Sequence, residues 1–347
     1  MTEQVTDVKS VKCVVWDLDQ TIWDGVLLED GDVRLRPGVR QVLEVLDERG
    51  ILHSLASRND PEAVRAKLEE FGIDHYFLHP QIGWHVKSES VGRIAEALNI
   101  GTDAIAFVDD QPFERDEVVH EHPDVLCVDA AELTDLLVRP EFIPRFVTED
   151  SKRRREMYRE DARRKIDEKS FAGPQETFLA GLDMRFEIAE AGEGDLQRAE
   201  ELTVRTNQLN TTGRTFSYDE LDAFRRSDDH LLLVARLTDR YGPYGNIGLA
   251  LMDTSGPGWT IRLLLMSCRV MSRGVGTVLI NHIKRRAASA GVQLSADFIS
   301  TGRNRPMLVS FKFNGFSEVA RDGAYVTFRA DLTAIPPDPD YIKILVS

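Results

Sequence analysis

The sequence predicts a two-domain α/β protein, and three observations predict it. Strands and helices alternate through the first 140 or so residues. Asp17, Ser57 and Asp109 each stand at the end of a predicted strand. A second alternating region opens near Asp183. Alternation of this kind builds a parallel sheet with helices on both faces, and in such sheets the site lies beyond the carboxyl ends of the strands.

The elements of the first region follow from local pattern. Lys12 to Trp16 is a short apolar run that ends at Asp17. Pro37 to Arg49 is helical by period, with Val39, Val42, Leu43 and Leu46 on one face. Ile51 to Ala56 is a second strand. Pro61 to Phe71 is a helix, with Asn59 or Asp60 as its cap and Pro61 in the first turn. Ser88 to Leu98 is a further helix, Ala104 to Val108 a strand, and Val125 to Val128 an edge strand. Residues 151–169 carry nine Lys or Arg and five Asp or Glu, which reads as a solvated helix between domains or, alternatively, as a docking surface for an acidic partner. Beyond it, Arg185 to Ile188, Leu231 to Leu237, Gly245 to Asp253 and Trp259 to Met266 look antiparallel. An amphipathic helix, Gly276 to Ala290, and the strand Gln293 to Asp297 follow. The expected division is residues 1–145, a charged helical linker over 146–180, and a second domain over 181–335.

Composition excludes some classes. A 347-residue chain with 42% hydrophobic residues can fill two cores. No run of about 18 apolar residues spans a membrane. Met1 to Lys12 is polar and lacks an export signal, so a cytoplasmic location is expected. The three cysteines fit reduced thiols. A net charge of −15 argues against nucleic acid as partner. It permits an anionic substrate, because a site can be locally positive.

The chemistry starts at Asp17-Leu18-Asp19-Gln20-Thr21. Two carboxylates two residues apart leave one strand end together, so one can attack phosphorus while the other protonates the leaving oxygen. A carboxylate repels phosphate, so the site needs a cation and extra donors. Ser57 can hydrogen-bond a phosphoryl group, and Lys87 can neutralise both Asp17 and phosphate. Asp109 and Asp110 can hold Mg, which prefers carboxylate oxygens.

This order resembles the haloacid dehalogenase (HAD) superfamily at four motifs: Asp17, Asp19 and Thr21; Ser57; Lys87; and Asp109 with Asp110. The resemblance implies a Rossmann-like parallel sheet, Asp17 as nucleophile and Asp19 as general acid/base. It also implies Ser57, Thr21, Arg58 and Lys87 as phosphate ligands, and Mg held at Asp17, Asp19, Asp109 and Asp110. Only 39 residues separate Asp17 from Ser57 and 21 separate Lys87 from Asp109, so there is no room for a large cap and the cleft should be open.

In the second region Met271-Ser272-Arg273-Gly274-Val275-Gly276 precedes a helix. Glycines there expose N–H groups to a pyrophosphate. The run looks like the acyl-CoA loop of GNAT N-acetyltransferases, although Met271 stands where that family has Gln or Arg. Taken with VVWDLDQTIWDGVL, ASRND, FVDDQPFERDEV, RTNQLNTTG and LLLMSCRVMSRGVG, the chain resembles the FkbH-like proteins of polyketide pathways over nearly its full length. Gln20, where that family has Asn, is a departure. The resemblance implies transfer of a glyceryl unit from 1,3-bisphosphoglycerate to an acyl carrier protein (ACP) with its phosphopantetheine arm. It extends to methoxymalonyl-type or hydroxymalonyl-type extender units and tetronates.

Two centres are expected, because attack by Asp17 on the acyl phosphate would discard its activation. The HAD site removes the ester phosphate. Cys268, in an apolar strand and followed by Arg269 and Arg273, accepts the glyceryl group. Arg269, Arg273, Gly274, Gly276, Asn207 and Asn210 are candidates for the pantetheine or acyl arm, with a loop cap an equal reading for Asn207 and Asn210. Cys13 and Cys127 read as structural. The alternatives are a simple HAD phosphatase and a carrier-protein docking scaffold with an inactive HAD site.

Overall fold

The computed structural model describes residues 10–347, so the polar stretch at Met1 to Lys12 lies mostly outside the described residues. The chain forms two compact units, Met1–Arg159 and Glu160–Ser347.

In the first unit, β1 (Cys13–Trp16) is wholly buried. A small hairpin of β2 (Trp23–Asp24) and β3 (Arg34–Leu35) follows, with the one-turn helix α1 (Leu27–Asp30) between its strands. Next come α2 (Val39–Glu48), β4 (Leu52–Ser57), α3 (Pro61–Phe71), β5 (Gln81–Ile82), α4 (Lys87–Leu98), β6 (Ile105–Asp109), α5 (Pro112–Glu121) and β7 (Leu126–Asp129). The five long-range strands lie in the order β5-β4-β1-β6-β7, all parallel. Helix α2 buries the four predicted apolar positions, Val39, Val42, Leu43 and Leu46. Cap choice is settled at α3: Asp60 accepts from the N–H groups of Glu62 and Ala63, with Pro61 in the first turn. Asn59 is thereby free for another task.

The charged stretch breaks into α6 (Glu149–Lys152) and α7 (Arg154–Ser170), and the division between the units falls inside α7. The reading as a solvated helix is corrected. Arg154 is buried and donates to the Gly50 carbonyl at 2.7 Å, and Arg155 forks onto both oxygens of Asp47. In the second unit Arg164 is 1% exposed and forks onto Asp239, itself 0% exposed, at 2.7 and 2.9 Å. The Tyr244 ring lies beneath the guanidinium at 4.0 Å. The helix packs through paired arginines, so it carries no apolar stripe for periodicity to detect.

The second unit continues with α8 (Gln175–Ala180), β8 (Met184–Glu190), α9 (Leu196–Arg205), α10 (Tyr218–Arg225), β9 (His230–Asp239), β10 (Gly242–Asp253), β11 (Gly258–Met266), α11 (Val275–Ser289), β12 (Gln293–Ile299), α12 (Arg305–Phe313), β13 (Phe316–Asp322), β14 (Tyr325–Ala330) and β15 (Ile342–Val346). The sheet runs β13-β14-β12-β11-β10-β9-β8-β15 and is mixed, with parallel pairs at β11–β12 and β8–β15. Antiparallel β8 to β11, the parallel step across α11 and the antiparallel return agree with the expected GNAT-like α/β class. The fold class is α/β in both units.

One buried ion pair offers a direct check. Arg164→Ala leaves Asp239 buried without its fork and should lower the unfolding free energy by about 3–5 kcal/mol in urea titrations. Arg163→Ala, at an exposed position on the same helix, should cost less than about 0.5 kcal/mol. Equal costs would show that the pair is not what holds the helix.

Candidate active site

The three central strands deliver the site. β1 pairs with β4 and β6 in parallel, with Trp16 opposite Leu55 and Val108. Asp17 therefore emerges level with Ser57 at the end of β4 and Asp109 at the end of β6. The parallel register converts three distant segments into one cluster.

Lys87 is the hub. Its ammonium hydrogen-bonds Asp17 Oδ1, donates to the Ala56 carbonyl at 2.7 Å and lies 3.2 Å from Asp109 Oδ2. Its position is set by the start of α4, where the Ser88 N–H donates to Glu117 of α5 at 3.0 Å and the Ser88 hydroxyl bonds the same carboxylate. Burial works against the lysine charge, but Asp17 and Asp109 outweigh it and raise the lysine pKa. Burial pushes the Asp17 carboxyl up to about 7, with Asp109 adding and Lys87 offsetting part of the rise. Asp110 is raised by burial and then by Asp109.

Oxygens of Asp17, Asp109 and Asp110 lie within 4.8 Å of one another. Asp110 Oδ1 is buried and takes no hydrogen bond. Three carboxylates against one ammonium leave the cluster negative, and a hard divalent cation fits such an oxygen set. The Asp19 side chain stands outside that oxygen set. Its carboxylate accepts from Trp23 Nε1 (2.7 Å), the Leu27 N–H (3.0 Å) and Asn59 Nδ2 (3.0 Å), so it is held by its own neighbours and does not join the cluster. Those donors fix where an acid/base group would act.

The remaining predicted residues divide. Ser57 is buried at the end of β4. Thr21 is fully buried, and its Oγ1 takes no hydrogen bond. Arg58 donates through Nε to the His85 carbonyl at 3.2 Å and pairs with Glu114 at 2.9 Å. Gln20 adopts φ +56°, a left-handed conformation in which Asn is better tolerated. Asn59, Trp23, Glu114 and Glu117 were missed. Their roles are contacts to other site residues, which no local pattern reveals, although Asn59 beside the capping Asp60 was a visible surplus polar group.

In the second unit, Cys268 lies not in the strand but in a 3₁₀ turn just after β11, half-buried. Arg269 donates to the Tyr244 carbonyl at 2.9 Å. Arg273 is buried and paired with Glu168 at 3.0 Å, and its Nε and Nη1 take no hydrogen bond. Gly274 has φ +81°, a left-handed conformation that favours glycine, and a Cβ there would come within 2.9 Å of Tyr341 Oη. Gly276 lies in the first turn of α11 with open space around it. Asn207 is exposed.

Asn210 takes the loop-cap role, one of its two readings. It is fully buried, donates to the Thr206 carbonyl and accepts from the N–H groups of Thr212 and Gly213. Its segment fills a wedge. β11 and β12 pair only from Gly258–Gln293 to Ile261–Ala296 and then part. Into the gap come Leu209 to Thr211: the Met266 N–H donates to Leu209 O, the Thr211 N–H to Leu264 O, and the Ile299 N–H to Thr211 O. Backbone groups that an extended amide ligand would use are already satisfied by the chain itself.

A family model matches part of the first unit. A family model described as haloacid dehalogenase-like hydrolase matches residues 23–114, a stretch that contains Ser57, Lys87, Asp109 and Asp110 and begins after Asp19. No curated protein matches. Among solved structures, the N-terminal part of a Bacteroides fragilis protein, described as containing a phosphatase domain complexed with Mg, is 28% identical with a TM-score of 0.35. The likeness covers 38% of this chain and only 40% of that one. The Escherichia coli ribosomal-protein-S18-alanine N-acetyltransferase is 16% identical over 42% of this chain and 90% of that one, with a TM-score of 0.32. A spermidine N-acetyltransferase chimera from Vibrio cholerae and a human enzyme is 14% identical over 43% and 96%, with a TM-score of 0.34.

The raised Asp17 carboxyl predicts a pH signature. An ordinary aspartate ionises near pH 3.9, whereas this one keeps its proton up to about 7 in the metal-free fold. A cation must displace that proton, so binding strengthens as pH rises through that range. The thermal midpoint gain from about 10 mM MgCl2 should be larger at about pH 8 than at about pH 5.5. An equal or smaller gain at the higher pH would contradict the arrangement.

Proposed function

We propose that the chain is a two-centre enzyme that removes an ester phosphate and transfers a glyceryl unit from 1,3-bisphosphoglycerate to the thiol of an ACP. The observation that carries the first half is the buried Asp17–Lys87–Asp109 cluster with Asp110 beside it. Asp17 attacks phosphorus, and the bond to the leaving oxygen breaks. Asp19, oriented by Trp23, Leu27 and Asn59, gives that oxygen a proton and then takes one from the water that hydrolyses the aspartyl phosphate. Lys87 offsets the charge of Asp17 and of the incoming phosphate. Mg, held by Asp17, Asp109 and Asp110, would supply charge neutralisation when bound.

For the second half, Cys268 is the thiol of choice by elimination among the three cysteines, none of them in a disulfide. Burial drives the Cys13 thiol far up and Cys127 to about 11, so both stay protonated. The Cys268 sulfur would attack the acyl carbon of the acyl phosphate with phosphate leaving. The ACP thiol would then take the glyceryl group and free the cysteine. Phosphate-ester hydrolysis alone is a second reading, favoured by the filled gap between β11 and β12. The intact carboxylate cluster speaks against a scaffold with an inactive site. Carrier protein and bisphosphoglycerate as partners, a cytoplasmic setting and a place in polyketide extender-unit supply belong to the same proposal. Among the described residues no helix is long and apolar enough to cross a membrane.

Asp17→Asn should abolish phosphate release with the circular-dichroism spectrum unchanged, and Lys87→Ala should lower turnover by roughly 100-fold, the scale of losing one preorganised electrostatic partner. Wild-type release by purified Asp17→Asn would sink the mechanism. Cys268→Ala should retain phosphate release from small esters and fail to load glyceryl onto holo-ACP, read by the mass of the ACP. Loading at the normal rate by this variant would make Cys268 a packing residue and leave direct attack by the ACP thiol.

A further inference from the structure

The hydrogen bonds that the Asp19 carboxylate receives divide unequally between its two oxygens. Trp23 Nε1 donates to Oδ1 at 2.7 Å, and the Leu27 N–H donates to the same atom at 3.0 Å. Asn59 Nδ2 donates to Oδ2 at 3.0 Å. A carboxylate oxygen offers two in-plane lone pairs, and an indole or backbone N–H can only donate. Oδ1 is therefore full, and a proton placed there has to expel one of its donors. Oδ2 keeps room for one more partner. The fold holds both Oδ1 donors in place. Trp23 is wholly buried, and the Leu18 carbonyl accepts from the N–H groups of Thr21, Ile22 and Trp23, which closes the turn that carries the indole back to Asp19. Leu27 is buried at the start of α1.

Asn59 is as firmly set. Its side chain is wholly buried, and its Oδ1 accepts from the Asp60 N–H at 3.0 Å. A backbone N–H cannot accept and an ionised carboxylate cannot donate, so the amide fits in one orientation, with Nδ2 toward Asp19. We propose that Asn59 is a positioning residue that reserves Asp19 Oδ2 for the transferred proton and so fits the site to phosphate esters of unactivated alcohols. This rests on the phosphatase reading of the same site. As the bond from phosphorus to the leaving oxygen breaks, that oxygen takes the proton from Oδ2, and the charge left on Oδ2 is met by Asn59 Nδ2–H. Water then attacks the phosphorus of the aspartyl phosphate, one of its protons returns to Oδ2, and Asp17 leaves as a carboxylate. An alkyl ester needs that proton because an alkoxide is a poor leaving group, whereas an aryl ester that releases a stable phenolate does not.

Two measurements test it. In the first, single-turnover release of the alcohol is followed with 3-phosphoglycerate, an alkyl ester, and with p-nitrophenyl phosphate, an aryl ester. Asn59→Ala and Asn59→Ser should slow the alkyl ester by about tenfold or more, the scale of one hydrogen bond to a charged group, and leave the aryl burst within about threefold of the wild type. Asp60 caps α3, so Asp60→Ala should lower the thermal midpoint and leave the ratio of the two rates unchanged. Equal slowing of both esters by the Asn59 variants, or slowing of neither, overturns the proposal. The second measurement needs no turnover. The side-chain amide of Asn59 and the indole N–H of Trp23 are followed in proton–nitrogen correlation spectra as the pH is lowered and Asp19 takes up its proton. Loss of each signal in Asn59→Ser and Trp23→Phe identifies it. The Asn59 signal should move farther, and both movements should be absent in Asp19→Asn. A larger movement at Trp23 places the proton on Oδ1 and overturns the proposal. If the wild type cleaves neither ester while the Asn59 signal moves farther, the phosphatase reading falls and the assignment of Oδ2 stands.

Discussion

The ammonium of Lys87, set between the carboxylates of Asp17 and Asp109, is the interaction on which the first unit depends. Burying these charges is costly, and each member is tolerated only because the others are present. The surrounding architecture serves that placement. Parallel strands bring Asp17 and Asp109 out at the same level, and the Ala56 carbonyl takes a further proton of the lysine. Glu117 pins the start of the helix that carries Lys87. What remains is a cluster of three carboxyls with a bare oxygen on Asp110, an arrangement suited to a cation.

Polar side chains also perform structural work that is usually left to apolar ones. Arg154 and Arg164 are buried on α7, each with its guanidinium matched to a carbonyl or a carboxylate fork. The same economy appears at Asn59 and Asp60, two adjacent polar residues with separate duties: Asp60 caps α3, while Asn59 turns inward to hold Asp19. Residues close to the chemistry thus also fold the loops that carry it.

The second unit makes the contrast. Its glycine-bearing turn before α11 resembles an anion loop in sequence, yet Gly274 is favoured by its left-handed backbone. The polar run from Thr206 to Gly213 resembles a ligand-binding loop. Instead it closes the gap between β11 and β12 with backbone hydrogen bonds to both. A polar cluster between apolar segments has two physical uses, binding a ligand or satisfying the protein's own backbone, and only the partners decide between them.

The alternation of strands and helices, the helix faces and the four phosphoryl-transfer motifs were legible in the sequence because they rest on local period and on residue type at strand ends. Val39, Val42, Leu43 and Leu46 could be placed on one face from spacing alone, and Asp17, Lys87 and Asp109 could be assigned to one site from their order. Tertiary structure decided whatever depends on partners distant in sequence. It gave Arg58 its partners in His85 and Glu114, surrounded the Asp19 carboxylate with Trp23, Leu27 and Asn59, and made Asn210 a loop cap. It packed the charged helix through Arg164 and Asp239, 75 residues apart. The physical reason is the same in each case. A hydrophobic pattern records that a side chain leaves water, whereas the role of a polar side chain is set by which donor or acceptor meets it after the chain has folded.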